Sequence, residues 1–374
     1  MRLFQMEFYK IANRRILQVG IIALLVFFGF YFWVGIIGDE GVYVDGKAYT
    51  RFAAIKMDKE ITRQYEGVLT REKAEQIIDT YGWAPDWQEI SGKEKGLNDN
   101  YANRFVTDNF STRRYDVDTP VSWSTGEEAS WSEDLLKMKP EFGYAGGWDE
   151  FQETLIMVWV TCSILIIIAV SPVFSEEYSL RTAPVLLTTE YGKGKDVPVK
   201  MLAAFAYTAA LYVLFAGFVF LLFAAGYGTE GLQVSAATSV GLLGYDGTLL
   251  AAILKNLGMG LVSMCLTAVI TLFISARCAQ TFSAVIWSVL AYLTPFILFQ
   301  IIFSMLRTTR VVAVIRSLLR CMPFYLPVNE TNILSSAYGS RYLAAARVEE
   351  LLVIGVISIF AVWQASRTYR RKCQ

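Results

Sequence analysis

Residues 16–37 read ILQVGIIALLVFFGFYFWVGII, an apolar run without a single charge. A bilayer core about 30 Å thick takes roughly 20 residues of α-helix to cross, so this stretch reads as a transmembrane span. It exceeds the core of a signal peptide and no small-residue cleavage site follows it, so the span is expected to be retained. In lipid each backbone N–H and C=O must be satisfied within the segment, which makes helix the spanning form here.

Outward from this run, five more apolar stretches cover about 152–174, 201–225, 249–275, 281–305 and 350–366. Their spacing is uneven: a long hydrophilic region follows the first, and the other five come in close succession. Lys and Arg near the span ends set direction. Arg2, Lys10, Arg14 and Arg15 precede the first run with Glu7 alone opposing them, and Arg367, Arg370, Arg371 and Lys372 follow the last. Both termini therefore read as cytoplasmic in a cell membrane, which requires an even number of spans; six satisfies that. Residues 39–150 then face outward. They hold 23 acids against 14 bases, a weak support for that side because long domains cross largely regardless of charge. The loop 226–248 is also placed outside and contains no Lys or Arg. Residues 306–349 fit this scheme least well, since they carry Arg307, Arg310, Arg316, Arg320, Arg341 and Arg347.

The expected fold is an all-α membrane protein of six transmembrane helices, with a mostly helical α+β extracellular domain inserted between helices one and two. Its divisions are 1–38 (an N-terminal interfacial helix and the first span), 39–150 (the extracellular domain) and 151–374 (five further helices). The last part includes a cytoplasmic loop at 175–200 and a re-entrant extracellular region at 306–349.

Composition excludes several chemistries. The formal net charge is zero, so there is no electrostatic footprint for nucleic acid. Without His, His-based metal sites and Ser-His or Cys-His nucleophile pairs are ruled out. None of the five cysteines, Cys162, Cys265, Cys278, Cys321 and Cys373, falls in 39–150, so that domain has no disulfide framework. Cys162 and Cys265 read as small packing residues within spans. The phosphate-binding pattern Gly-x-x-x-x-Gly-Lys-Ser/Thr is missing; the nearest candidate, Gly192-Lys193-Gly194-Lys195-Asp196, lacks its upstream Gly and its hydroxyl. No cofactor and no catalytic or metal-binding residues are expected in this chain. If ATP is used, another subunit binds it.

In 39–150, Val42-Tyr43-Val44-Asp45-Gly46-Lys47-Ala48-Tyr49 predicts a hairpin, because Asp-Gly supplies two positive-φ residues between β-formers. Residues 58–66 and 71–81 read as short helices, the first closed by Gly67 and the second N-capped by Thr70 with Glu72 in its first turn. Trp83, Trp87, Trp123, Trp131 and Trp148 are open to three readings: a small core, a surface for an amphipathic ligand, or, for Trp148 above all, anchoring at the headgroup level.

The most specific stretch lies between the second and third spans: Phe174-Ser175-Glu176-Glu177-Tyr178-Ser179-Leu180-Arg181-Thr182-Ala183-Pro184-Val185-Leu186-Leu187-Thr188-Thr189-Glu190-Tyr191-Gly192-Lys193, running on to Lys200. It resembles the corresponding loop of the type-2 permeases of ABC exporters. That loop has an aromatic, a Glu, a Gly-Thr pair, a Leu-Leu pair, a Ser/Thr-rich turn, a Gly-Arg or Ser-Arg pair and a Lys entering the third span. Phe174, Glu177, Thr182, Leu186, Leu187, Thr188, Gly192 and Lys200 match by position and order. Arg181 stands at the usual Gly, Lys193 where Arg is commoner, and Pro184 interrupts a helix that is often continuous; Thr182 as N-cap with Pro184 in the first turn is one solution. Residues 4–15 look like the family's interfacial helix. The Tyr65-Glu66-Gly67-x-Leu69-Thr70 segment is similar to the outer domain of some Gram-positive members.

The resemblance implies that two permease chains, alike or different, pair in the membrane, and that each docks a separate ATP-binding subunit holding ATP and Mg. The contact is expected at Glu177, Arg181, Thr182, Leu186, Leu187, Thr188, Tyr191, Gly192 and Lys193. Leu186 and Leu187 would supply apolar contact, and Glu177, Arg181 and Lys193 would set register by charge pairing. The alternative reading from spacing alone is an ordinary loop with its charges facing water.

Lys255 and Asn256 sit near the outer end of the fourth span, where Lys snorkels to headgroups or lines a substrate path. Pro295 falls mid-span in the fifth and serves as a kink in static packing or as a hinge. The arginines of 306–349 suit lipid phosphates, the acidic outer domain or an anionic substrate. An exporter permease is the leading expectation, with membrane lipids as further partners and antimicrobial peptides, drugs, lipids or ions open as substrates. A non-transporting membrane sensor, with the outer domain as receptor, is the alternative. An intramembrane enzyme is disfavoured because the chain has no His and no paired intramembrane acids.

Overall fold

The computed structural model describes residues 2–85, 98–112, 121–182, 185, 195–239, 247–305, 315, 318–319, 321–327, 352 and 355–369. The chain is mostly helical. Helix α1 (Arg2–Ala12) lies before α2, a helical run over Arg15–Asp39 whose stretch Tyr31–Ile36 widens into a π-helix. Strands β1 (Gly41–Val44) and β2 (Lys47–Thr50) follow, then α3 (Phe52–Thr62), β3 (Gly67–Val68), α4 (Arg71–Tyr81), α5 (Tyr101–Phe110), α6 (Glu127–Lys137) and β4 (Glu141–Phe142). The long helices are α7 (Gly146–Val170), α9 (Asp196–Tyr227), α10 (Leu249–Ser275) and α11 (Thr281–Met305), with the short α8 (Pro172–Ser179) between α7 and α9. A last helix, α12, covers 355–369.

Among the described residues, five helical runs are long and apolar enough to cross a membrane: Arg15–Asp39, Gly146–Ser179, Asp196–Tyr227, Leu249–Ser275 and Thr281–Leu298. The sixth expected span, 350–366, falls only partly among the described residues, as α12. The fourth matches its expected limits. The second starts six residues earlier than expected, at Gly146, and its helix is interrupted at Ser171 before resuming at Pro172. Pro172 occupies the first turn of α8, where its missing N–H costs nothing.

Helix α7 is the centre of the bundle: 67% of its most apolar window is buried, against 22% for α2 and for α11. It packs on α9 and α10, while α1 lies along α9 with Phe8 edge-on to Tyr207 at 6.0 Å. Close approach depends on glycines. A Cβ at Gly147 would overlap the ring of Tyr227, and one at Gly260 would overlap Trp159 and Tyr212, so small residues set the α7–α9–α10 crossings. The outward faces of α2 and α11 carry Val19, Ile22, Val26, Trp287 and Ile297 exposed, as an apolar solvent permits.

The segment after α2 folds against the far ends of α2, α7 and α9. The hairpin pairs Val44 with Lys47, and Asp45 and Gly46 take φ of 52° and 72°, as the Asp-Gly signal predicts. Thr70 caps α4 by accepting from the Lys73 N–H. The helix expected over 58–66 instead runs Phe52–Thr62, with a 3₁₀ turn Arg63–Tyr65. Gly67, at φ +99°, opens β3, which pairs with β4 through Gly67–Phe142 rather than closing a helix.

Trp83 and Trp123 meet at 5.0 Å beside Phe110, so these two rings pack together. Trp148 is 2% exposed and packs on Phe151 and Phe220, which places it in the core and not in a headgroup belt. Trp87 and the side chain of Trp131 lie outside the described residues.

Candidate functional site

Helix α8 leads directly into the loop singled out from the sequence, and it is tied to α9, α10, α11, α12 and the turn between α1 and α2. Its backbone N–H groups at Phe174 and Ser175 both donate to the Ser275 hydroxyl of α10 at 3.1 Å, and that hydroxyl donates to the Ser171 carbonyl. Ser175 meets the Thr281 hydroxyl of α11 at 3.2 Å. Glu176 takes Arg14, from the turn between α1 and α2, at 2.5 Å.

Glu177 makes the most enclosed of these contacts. One carboxylate oxygen lies 2.9 Å from the Lys200 ammonium of α9, and the other accepts from the Tyr369 hydroxyl of α12 at 2.5 Å. Lys200 also meets Asp196, one helical turn earlier, at 2.5 Å. The Lys200 side chain is 1% exposed, so its desolvation is offset by two carboxylates at close range. The ring of Tyr369 lies against Phe174 (4.9 Å) and Tyr178 (5.7 Å), which fixes the direction of its hydroxyl. Thus Phe174, Glu177 and Lys200, three residues of the loop pattern, come together in one buried cluster.

Helix α8 then ends in a Schellman motif. The Thr182 N–H bonds the Glu177 carbonyl, the Arg181 N–H bonds that of Tyr178, and Arg181 takes φ +56°. That conformation explains why glycine suits this position: a residue there must be left-handed to turn the chain out of the helix. Arg181 fills the same role with a side chain exposed to solvent. Leu186, Leu187, Thr188, Tyr191, Gly192 and Lys193, and the Pro184 helix start, lie outside the described residues. So do the six arginines of 306–349.

At the opposite end of the bundle, a cavity of ≈ 940 Å³ opens between the hairpin, α3, α5 and the ends of α2 and α7. Eight carboxylates line it, among them Glu40, Asp58, Asp99 and Glu150, with Arg104 as the single base among the lining residues. Asp58 accepts from the Tyr101 N–H at 2.8 Å and meets Arg104 at 3.2 Å. Burial pushes its carboxyl up to about 7, and Arg104 and the Tyr101 N–H hold it from going higher. Glu40 is also raised by burial, opposed by the Tyr227 hydroxyl that donates to it. The cavity is electrostatically suited to a cation. Among the described residues no group of His, Cys, Asp or Glu is arranged to hold a metal ion.

Near this end Asn256 is fully buried and donates to Gln152 of α7 at 3.0 Å, while its neighbour Lys255 is exposed. Asn256 is therefore a helix-to-helix hydrogen bond, and Lys255 has the exposure that snorkelling needs. Pro295 lies inside α11.

Sequence reasoning missed Asp196, Tyr369, Ser275 and Gln152. The i,i+4 spacing of Asp196 and Lys200 was the one local signal available. Tyr369 is 192 residues from Glu177, beyond any pattern in the sequence. No family model matches the chain, and neither curated proteins nor solved structures include a match to it.

Proposed function

We propose that this chain is the membrane-spanning permease subunit of an ATP-driven exporter of the ABC type, paired with a second permease chain. Six spans cross the cell membrane, with α12 as part of the sixth. Both termini are cytoplasmic and residues 39–150 form the outer domain. Arg14, Arg15 and Arg367 gather at the α8 end, the distribution expected of a cytoplasmic face.

The observation that carries the reading is the set of bonds around α8. Arg14, Lys200, Ser275, Thr281 and Tyr369 come from different parts of the bundle, and all reach this one eight-residue helix. A push on the following loop is therefore delivered to the helices together, as a rigid lever requires. In this reading the loop docks a separate ATP-binding subunit through Leu186 and Leu187, with Arg181 and Lys193 setting register. Glu177 acts behind the contact, holding α8 to α9 and α12. Closure of the ATP-binding subunits tilts the spans between inward- and outward-open states. ATP and Mg belong to the partner; this chain supplies the path and the lever.

The reading is tested by isolating the tagged chain from its own membranes and identifying bound proteins. An ATPase with a phosphate-binding loop in near-stoichiometric amount is expected. Repeated isolation without one removes the proposal.

A second reading, a membrane receptor that does not transport, is favoured by the acidic cavity, which suits a cationic ligand. Deleting 42–145 separates the two: a receptor loses its ligand response, and an exporter loses efflux.

A further inference from the structure

We propose that the groove between α9, α10 and α12 is a binding site for one acyl chain of an anionic phospholipid, with the phosphate held at the α8 end by Arg367. The groove encloses ≈ 950 Å³ and is walled by apolar side chains, including Leu202 and Phe205 of α9, Val262 of α10, and Val362 and Trp363 of α12.

Its length selects the occupant. The lining covers 197–205, 261–269 and 358–366, eight helical steps in each case, or about 12 Å along the axis. That approximates one leaflet, half of a core of about 30 Å. A helix from a second copy of the chain needs a groove through the full thickness, whereas a lipid chain needs one leaflet only.

Charge selects the headgroup. Arg367 follows Ser366, the last lining residue of α12, and its guanidinium stands 5.1 Å from the Trp363 ring. Stacking on that ring keeps the cation at the groove mouth. The sequence places no acid among residues 367–374 to oppose it. The acid in the first turn of α9, Asp196, is turned inward onto Lys200. A basic mouth above an apolar, leaflet-deep slot is complementary to a phosphate on an acyl chain.

The test is native mass spectrometry of the purified full-length chain with dioleoyl phosphatidylglycerol and dioleoyl phosphatidylcholine in equal amounts. A saturable single-lipid adduct is expected, with about five-fold preference for the anionic lipid, the worth of one basic residue at a membrane surface. Arg367→Gln should keep the adduct and bring the preference to parity. Leu202→Trp, at a position 59% exposed and so free of core disruption, should abolish the adduct for both lipids. Glycerol phosphate, which has the anion without the chains, should not compete. Equal binding of the two lipids by the unaltered chain overturns the proposal. So does preference retained in Arg367→Gln, an adduct retained in Leu202→Trp, or competition by glycerol phosphate. Thermal melts matching the parent show that both variants fold. The readout uses neither ATP nor a partner, so its failure leaves the exporter reading untouched.

Discussion

The Lys200 ammonium lies 2.9 Å from Oε1 of Glu177, and this pair joins the helix that enters the candidate coupling loop to the helix that leaves it. Both side chains are nearly excluded from solvent, at 1% and 12% exposed. Removing Lys200 leaves two buried carboxylates, Glu177 and Asp196, without their cation, Glu177 keeping only the Tyr369 hydroxyl. Lys200→Met is expected to cost about 3–5 kcal/mol of stability. Adding Glu177→Gln to it should recover part of the loss. Thermal or denaturant unfolding of the full chain in detergent, arranged as a double-mutant cycle, measures both.

Arg181 is left-handed at the end of α8, a conformation that costs a non-glycine residue about 1 kcal/mol or more. Glycine removes that strain but gains freedom in the unfolded chain. Arg181→Gly should therefore be neutral or stabilising by roughly 0.5–1 kcal/mol. A clear loss of melting temperature would show that the Arg181 side chain has a structural contact of its own.

Gly147 lets α7 cross under Tyr227 without room for a methyl group. Gly147→Ala should cost roughly 1–3 kcal/mol through overpacking. Because the clash is with a ring, Gly147→Ala combined with Tyr227→Leu should unfold closer to Tyr227→Leu alone than additivity predicts. Additive losses would place the strain elsewhere.

Asp58 binds its proton more tightly in the folded chain, because burial moves it from 3.8 up to about 7. Glu40, raised by burial, acts in the same direction. Folding then takes up protons between these values, so this contribution is complete below about pH 4 and is lost as pH rises towards about 7. The slope from Asp58 alone is at most about 1.4 kcal/mol per pH unit. Melting temperature followed from pH 4 to 8 should fall with pH in the parent, and more shallowly in Asp58→Asn. Identical profiles would contradict the assignment.

Much of the scaffold was legible because its signals are local. A charge-free run of about 20 residues has few alternatives to a span, and Leu249–Ser275 follows its apolar limits. Asp45-Gly46 determines a turn and Thr70 a cap, each within four residues. The helix at Phe52–Thr62 was misplaced because its start is set by Arg51 at φ +55°, a backbone state that carries no composition signal. Gly67 was assigned to a helix cap, but its partner is Phe142, 75 residues on, and β pairing at that distance leaves no local trace.

The site divides in the same way. Glu177 stood out through its place in a known pattern, and the structure adds that its charge is spent inside the chain, on Lys200 and Tyr369. The acidic cavity was hidden because its carboxylates come from α2, α3, α5, α7 and their junctions, each unremarkable alone.

The measurement closest to the central claim is a photo-cross-link from position 187, with benzoylphenylalanine replacing Leu187 in the native membrane. The account predicts a single major product that joins this chain to a protein containing the Gly-x-x-x-x-Gly-Lys-Ser/Thr sequence, and none from the same probe at the exposed Met138 near β4. Products at position 187 that contain lipid alone, or proteins without that sequence, would contradict it.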